Sequence, residues 1–246
     1  MLVLTKRMLG SDPAGFFSIM VLGRRSIGKT SYSLWGTHDF FVARGETDNN
    51  AWRMALSCLK FTIPEVIEFI DDAKRRKIKK PVLIWDDVRV YAGGSQYFLN
   101  MKLVSQLGGL LDVIRTRISN LILTCPSRSR LLGILNSYDD YIAKIHHTEK
   151  GGYDREARGY LWSSLPSGKR LIYHRFTDSY SCYLPQWVYV IYMDMREVAM
   201  ESLLTAIKQE DEEIVEKKMR KLARQIKAHK LSKELKKLVE EKKLKL

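Results

Sequence analysis

The sequence predicts an α/β fold: a parallel sheet with helices on both faces, extended by a β-hairpin and followed by a long basic C-terminal helical tail. Three observations carry that expectation. Short apolar runs recur at 16–22, 39–43, 82–86, 120–125 and 141–146, with helix-compatible stretches at 29–36, 52–60, 64–77 and 100–117 between them. Strands that alternate with helices form a parallel sheet covered on both sides. Beyond residue 150 the alternation stops. Gly159-Tyr160-Leu161-Trp162 and Arg170-Leu171-Ile172-Tyr173 then flank Pro166-Ser167-Gly168 as an antiparallel hairpin. After Pro185 the chain reads as helix almost to its end. The expected organisation is a core at 1–150, a hairpin extension at 151–185 packed on it, and a helical region at 186–246.

Each element has a local reason. Phe16-Phe17-Ser18-Ile19-Met20-Val21-Leu22 is a continuous apolar run suited to a buried strand. Thr62 and Pro64 ahead of Glu65-Val66-Ile67 form a helix start, with a capping hydroxyl and a proline in the first turn. Residues 181–184 read as an added edge strand. In the C-terminal helix, Trp187, Val188, Ile191, Met195 and Val198 recur at helical spacing and read as core in preference to a base-stacking platform. His146 and His147 are strand neighbours that point to opposite faces, which argues against a shared metal.

Composition sets the bounds. A chain of 246 residues with 45% apolar and 28% charged residues can bury a core, which argues against wholesale disorder. Cys58, Cys125 and Cys182 are odd in number and far apart, so neither a disulfide framework nor a zinc knuckle is expected, and a reducing cytoplasm fits. Met1 to Gly10 lacks the apolar stretch of a signal peptide, and no eighteen consecutive residues are apolar, so no membrane span is expected. The formal net charge of +14 suggests a polyanionic partner. That surplus is concentrated: residues 217–246 hold 13 Lys or Arg against 3 acids, while the rest of the chain holds 29 against 25. Val215, Met219, Leu222 and Ile226 mark one helical face there, and Ser232 could cap a second short helix. Three readings of this tail stay open: an apolar stripe packed on the body or a sister subunit, a helix along nucleic-acid phosphates, and a membrane-surface helix. The last lacks any Trp or Phe to anchor it.

The chemistry begins after the first strand. Gly23-Arg24-Arg25-Ser26-Ile27-Gly28-Lys29-Thr30 matches G-x-x-x-x-G-K-[ST], the phosphate-binding loop, with Ser31 following. Its glycines permit a tight turn whose N–H groups point inward around phosphate oxygens. Lys29 would neutralise the β- and γ-phosphates, and Thr30 would offer a hydroxyl to Mg2+ at the start of a helix whose dipole favours anions. The alternative is a strand-to-helix turn without a ligand. Lys79-Lys80-Pro81 then leads into Val82-Leu83-Ile84-Trp85-Asp86-Asp87, a buried strand ending in two carboxylates. Beside the loop, Asp86 would hold the metal and Asp87 would orient or deprotonate an attacking water. On the next strand, Asn120-Leu121-Ile122-Leu123-Thr124-Cys125, Thr124 is the candidate to touch the γ-phosphate or the water, and Cys125 reads as a small buried neighbour. Arg115, Arg117, Arg128 and Arg130 flank that strand and are candidate arginine fingers, each equally readable as a surface or DNA-contacting charge. The loop Tyr91-Ala92-Gly93-Gly94-Ser95 reads as a turn or as a DNA contact.

These motifs together resemble the additional-strand, catalytic-glutamate class of P-loop ATPases. Within it the chain looks like AAA-type replication initiators and helicase loaders, in which paired aspartates also end this strand. The pattern Leu184-Pro185, Val188-Tyr189, Tyr192, Arg196 further resembles small ATPases of crenarchaeal spindle-shaped viruses and plasmids. The likeness spans about 16–200 and leaves the basic tail uncovered. It implies a P-loop NTPase sheet of order 5-1-4-3-2, ATP and Mg2+ as ligands, and homo-oligomers formed on ATP or DNA binding. The expected function is a DNA-acting ATPase of replication or genome handling, with DNA ahead of RNA, no membrane partner, and a cytoplasmic location (the host's, for a virus). Alternatives are a packaging or translocating motor, a slow nucleotide-gated DNA-binding regulator, and a small-molecule kinase. The second aspartate is one methylene shorter than the glutamate many such enzymes carry, so slow hydrolysis is expected. No counterpart of the initiators' lid arginine stands out.

Overall fold

A computed structural model describes residues 1–88, 114–127, 141–149, 151–164 and 170–205. The chain divides into two units, Met1–Arg196 and Glu197–Leu246. Of the second, the described residues 197–205 are helical. The basic tail at 217–246, the loop at 91–95, the hairpin turn at 166–168, Arg128 and Arg130 lie outside the described residues, as does most of the expected helix at 100–117.

Among the described residues, the first unit is built on one seven-stranded sheet. In chain order its elements are α1 (Val3–Ser11), β1 (Phe17–Leu22), α2 (Lys29–Ala43), α3 (Asp48–Ser57), β2 (Leu59–Lys60), α4 (Ile63–Arg75), β3 (Lys80–Trp85), β4 (Ile118–Cys125), β5 (Tyr141–His147), β6 (Asp154–Ser164) and β7 (Arg170–Ser181). A further helix, α5, begins at residue 186. The sheet runs β2-β3-β4-β1-β5-β6-β7. Strands β2 to β5 pair in parallel, while β6 and β7 are antiparallel. The sheet thus differs from the expected five-stranded order by continuing past β5: the hairpin at 151–185 extends the sheet edge to edge.

The second strand is also a different segment from the one expected. Residues 39–43 are not a strand but the last turn of α2, whose Phe40 and Phe41 are buried. A short apolar run is equally at home in a buried helix, and periodicity alone does not separate the two. The edge position is taken by Leu59–Lys60, paired with Ile84 and Trp85 of β3. The expected helix at 52–60 therefore sits earlier, as α3, and ends before this strand. Two strand residues are too few to leave a period-two signature. Residues 181–184 likewise do not add an edge strand, since Ser181 closes β7.

Local chemistry explains where other elements start. Thr62 caps α4 through a reciprocal capping box: the Glu65 N–H donates to its hydroxyl, and the Thr62 N–H donates to Glu65 Oε2 at 2.8 Å. Ile63, Val66, Phe69, Ile70 and Ala73 form the buried stripe of that helix. The first four pack with Leu83, Trp85, Ile118, Leu121 and Leu123 in a core beside the sheet. Helix α1, which carries no sequence signature of its own, is held from a distance. No side chain caps it locally; the Val3 and Leu4 N–H groups donate to the Asp178 carboxylate on β7, at 2.6 and 3.1 Å. The apolar stripe expected after Pro185 is turned on its axis. Val188 and Tyr192 are buried, whereas Ile191 is exposed, because the packed face follows a spacing of four from Leu184. His146 is half-buried and His147 exposed on β5, on the opposite faces expected of strand neighbours.

Candidate functional site

Parallel strands open a crevice beyond their carboxyl ends, and side chains from three neighbouring strands meet there. β1 ends at Leu22, beside Cys125 of β4, and Trp85 of β3 pairs with Leu123. The loop of residues 23–28 therefore lies next to Asp86, Asp87 and Thr124, although they are distant in sequence.

The loop is tightly built. Gly28 is the N-cap of α2, with φ +101, and makes no side-chain cap. A Cβ there would fall 2.8 Å from Cys182 Cβ and 3.1 Å from the Tyr180 hydroxyl oxygen, so both conformation and space require glycine. Ser26 also has positive φ, at +59. Arg24, Arg25 and Ser26 are exposed, Gly23, Ile27 and Lys29 are buried, and Thr30 and Ser31 are half-buried. The Lys29 ammonium donates to the Arg24 carbonyl oxygen at 3.1 Å. Burial lowers its pKa, opposed by the carboxylates of Asp87 and Asp86. The first turn of α2 carries no acidic residue, so its dipole remains available to an anion.

Asp86 is the centre of the arrangement. It is 1% exposed and accepts hydrogen bonds from the Thr30 hydroxyl, at 2.9 and 3.0 Å to its two oxygens, and from the Thr124 hydroxyl. Desolvation, then the neighbouring Asp87, push its pKa up to about 6. The Thr124 hydroxyl also accepts the Asp87 N–H at 3.0 Å, so a single hydroxyl fixes the end of β3 on both sides. Asp87 has φ +47, a conformation uncommon for a residue with a side chain and typical of strained functional turns.

Lys29, Thr30, Asp86, Asp87 and Thr124 are thus brought together. A threonine hydroxyl and a carboxylate side by side are hard oxygen donors. Two such protein ligands, and no closed cage, suit Mg2+, which keeps most of its sphere for water and phosphate. Among the described residues there is no group of three His, Cys, Asp or Glu side chains that could hold a metal by themselves. Arg115 and Arg117 precede β4 at the opposite end of the sheet, about 20 Å from Thr124 at the usual rise per strand residue.

Other residues of the site come from outside the phosphate-loop and acid motifs. Tyr192 and Arg196, one turn apart on α5, reach the same cluster. The Tyr192 phenol lies beside Thr30 and Asp86, and burial pushes its pKa up to about 12. An Arg196 guanidinium nitrogen lies 3.5 Å from Asp87 Oδ2. Arg155 on β6 and Tyr180 on β7 donate to carbonyl oxygens of the loop itself, those of Ile27 and Gly28. The signal available in sequence is faint: on β6 the buried positions alternate as 155, 157 and 159, and an arginine on the inward face of a strand is unusual.

No protein-family model matches the chain. It is similar to an uncharacterized protein of Sulfolobus spindle-shape virus 1, 23% identical over 206 residues that cover 81% of either chain. It is also similar to an uncharacterized protein of Acidianus two-tailed virus, 31% identical over 121 residues, covering 49% of this chain and 40% of that one. Among the described residues no helix is long and apolar enough to cross a membrane. Similarity to proteins of two archaeal viruses is consistent with a viral origin.

Proposed function

We propose that the chain binds ATP with Mg2+, hydrolyses it, and acts on DNA in the replication or genome handling of an archaeal virus. The observation that supports this best is the pair of hydrogen bonds between the Thr30 hydroxyl and the buried Asp86 carboxylate, which join a phosphate-loop sequence to an acid 56 residues away. In this reading the N–H groups at the start of α2 surround the phosphates, Lys29 balances their charge, and Thr30 and Asp86 hold the metal. The metal supplies charge neutralisation at the phosphoryl oxygens. Asp87 holds the attacking water in line with the γ-phosphate. Thr124 fixes the carboxylates by bonding the Asp86 side chain and the Asp87 backbone.

The test is phosphate release and ATP binding by wild type and Lys29→Ala. Losing a charged partner of the phosphates should weaken binding by about ten- to a hundredfold and leave no release above background. Equal binding by the two proteins defeats the proposal.

The contact between Arg196 and Asp87 favours a second reading, a slow nucleotide-gated regulator. The guanidinium lies against the carboxylate that would otherwise orient water. Steady turnover that responds to Asp87→Glu supports the motor-like ATPase. Tight binding with turnover indifferent to that change supports the regulator.

The DNA part rests on charge. If about five tail charges meet phosphates, log affinity should fall against log salt with a slope near −4.5. Removing residues 217–246 should flatten that slope and leave ATP binding intact, as read by titrations at several salt concentrations. An unchanged slope would assign the tail to an oligomer contact.

A further inference from the structure

A phosphate-binding loop works only if its peptide N–H groups face the anion. Its carbonyl groups must then face the other way, into the protein, where each needs a donor. Across a trans peptide the C=O of one residue and the N–H of the next point in opposite directions. Holding the Ile27 carbonyl therefore aims the Gly28 N–H, and holding the Gly28 carbonyl aims the Lys29 N–H.

Both carbonyls accept from the antiparallel part of the sheet, and that of Gly28 also accepts the Tyr32 N–H, the first hydrogen bond of α2, at 2.9 Å. Arg155 Nε donates to the Ile27 oxygen at 3.0 Å, and the Tyr180 hydroxyl donates to the Gly28 oxygen at 2.8 Å. These bonds join residues 128 and 152 positions apart, so they are tertiary devices and not properties of the loop sequence. Neither donor is loose. Arg155 is 7% exposed and its Nη1 is anchored on the Gly152 and Asp154 carbonyls, at 2.7 and 2.8 Å. Tyr180 is buried, with its ring centroid 5.1 Å from that of Tyr32.

Charge adds a second, independent argument. All three hydrogen bonds described for Arg155 end on neutral carbonyls. A buried guanidinium so placed keeps its positive field beside the loop, where a bound anion would compensate it.

We propose that Arg155 and Tyr180 are positioning residues for phosphate binding, holding the peptides 27–28 and 28–29 with their N–H groups turned toward a nucleoside triphosphate. The proposal rests on the reading of the loop as an ATP site. It makes β6 and β7 part of the nucleotide machinery, because the loop is braced by strands that lie beyond the parallel sheet, in addition to the first hydrogen bond of α2.

The experiment uses the full chain, with four variants beside wild type: Tyr180→Phe, Arg155→Lys, Arg155→Met and Lys29→Ala. Three quantities are read: affinity for a fluorescent ATP analogue with Mg2+, KM against kcat for ATP, and melting temperature. Tyr180→Phe removes one oxygen and should raise Kd and KM about five- to tenfold, as expected for one hydrogen bond aimed at a ligand-binding peptide, with kcat nearly unchanged. Arg155→Met should weaken binding by at least about tenfold, and Arg155→Lys should recover part of that loss by keeping the charge without the fork. Because Tyr180→Phe removes only one oxygen and Arg155→Lys keeps the charge on an unbranched stem, they decide the matter even if Arg155→Met fails to fold. Affinities within about twofold of wild type in both conservative variants overturn the proposal, as does a loss shared equally by KM and kcat in step with melting temperature. A wild type that binds no better than Lys29→Ala overturns the ATP reading first, and the positioning role with it.

Discussion

Asp86→Asn is expected to lower ATP turnover by about two to three orders of magnitude and, in the same protein, to raise stability when metal and nucleotide are absent. The two effects have one cause. The carboxylate is 1% exposed and lies next to Asp87, so its charged form is disfavoured and its pKa moves from an ordinary 3.8 to about 6. The folded state therefore binds a proton more readily than the unfolded chain. This residue's contribution to stability is fully present below pH 3.8 and is lost as pH rises through about 6. At pH 7.5 the charge is a burden, and asparagine, which can still accept from Thr30 and Thr124, removes it. Each tenfold change in proton affinity is worth about 1.4 kcal/mol, so the gain is of the order of 1–3 kcal/mol. Urea unfolding in EDTA reads it directly, and the advantage should shrink as pH falls toward 5. A less stable Asp86→Asn at pH 7.5 would show that the hydroxyl bonds outweigh the desolvation. Turnover within tenfold of wild type would remove Asp86 from the metal's ligands. Stability given up at a carboxylate that function needs charged is a common trade at such sites.

Asp178→Ala carries the largest expected effect on stability. Its buried carboxylate accepts from the Val3 and Leu4 N–H groups and from the Tyr32 hydroxyl, the last at 2.7 Å. Alanine would leave two buried donors and one half-buried donor without that acceptor, at about 1–3 kcal/mol each before relaxation, so a total near 3–5 kcal/mol is expected. The negative charge also complements the positive end of α1. Asp178→Asn should retain part of the effect, since its oxygen still accepts. Urea midpoints give the difference, and limited proteolysis of the first eleven residues locates it. A loss under about 1 kcal/mol for Asp178→Ala would mean that α1 is held by Leu4 and Met8 packing alone.

Sequence legibility follows distance along the chain. The phosphate-loop pattern and the α4 capping box are local, so their residues announce themselves within a few positions. Asp86, Asp87 and Thr124 are legible because a parallel sheet brings strand ends to one edge, and an acid ending an apolar strand is conspicuous. Helix α1 leaves no trace because its cap is a residue 175 positions away. Residues 39–43 mislead because Phe40-Phe41-Val42 has the look of a strand while α2 buries Phe40 and Phe41 there, and Leu59–Lys60 is too short to be seen. Arg155 and Tyr180 reach the loop only after folding, and nothing in their immediate neighbours hints at it; Tyr192 and Arg196 stand in the pattern that follows Leu184-Pro185, but that pattern does not say which residues they meet.

The antiparallel pair has a consequence for how this chain can vary in length. Phe176, Asp178 and Tyr180 are the inward positions of β7, and a pleated strand changes side with every residue. Inserting or deleting one residue in β7 between His174, opposite the bulge at Leu161/Trp162, and Asp178 would turn the helix anchor and the loop anchor outward together. Length changes are compatible with this architecture beyond the bulge, toward the far end of the hairpin, so that half can diverge freely while the half below it is locked in register.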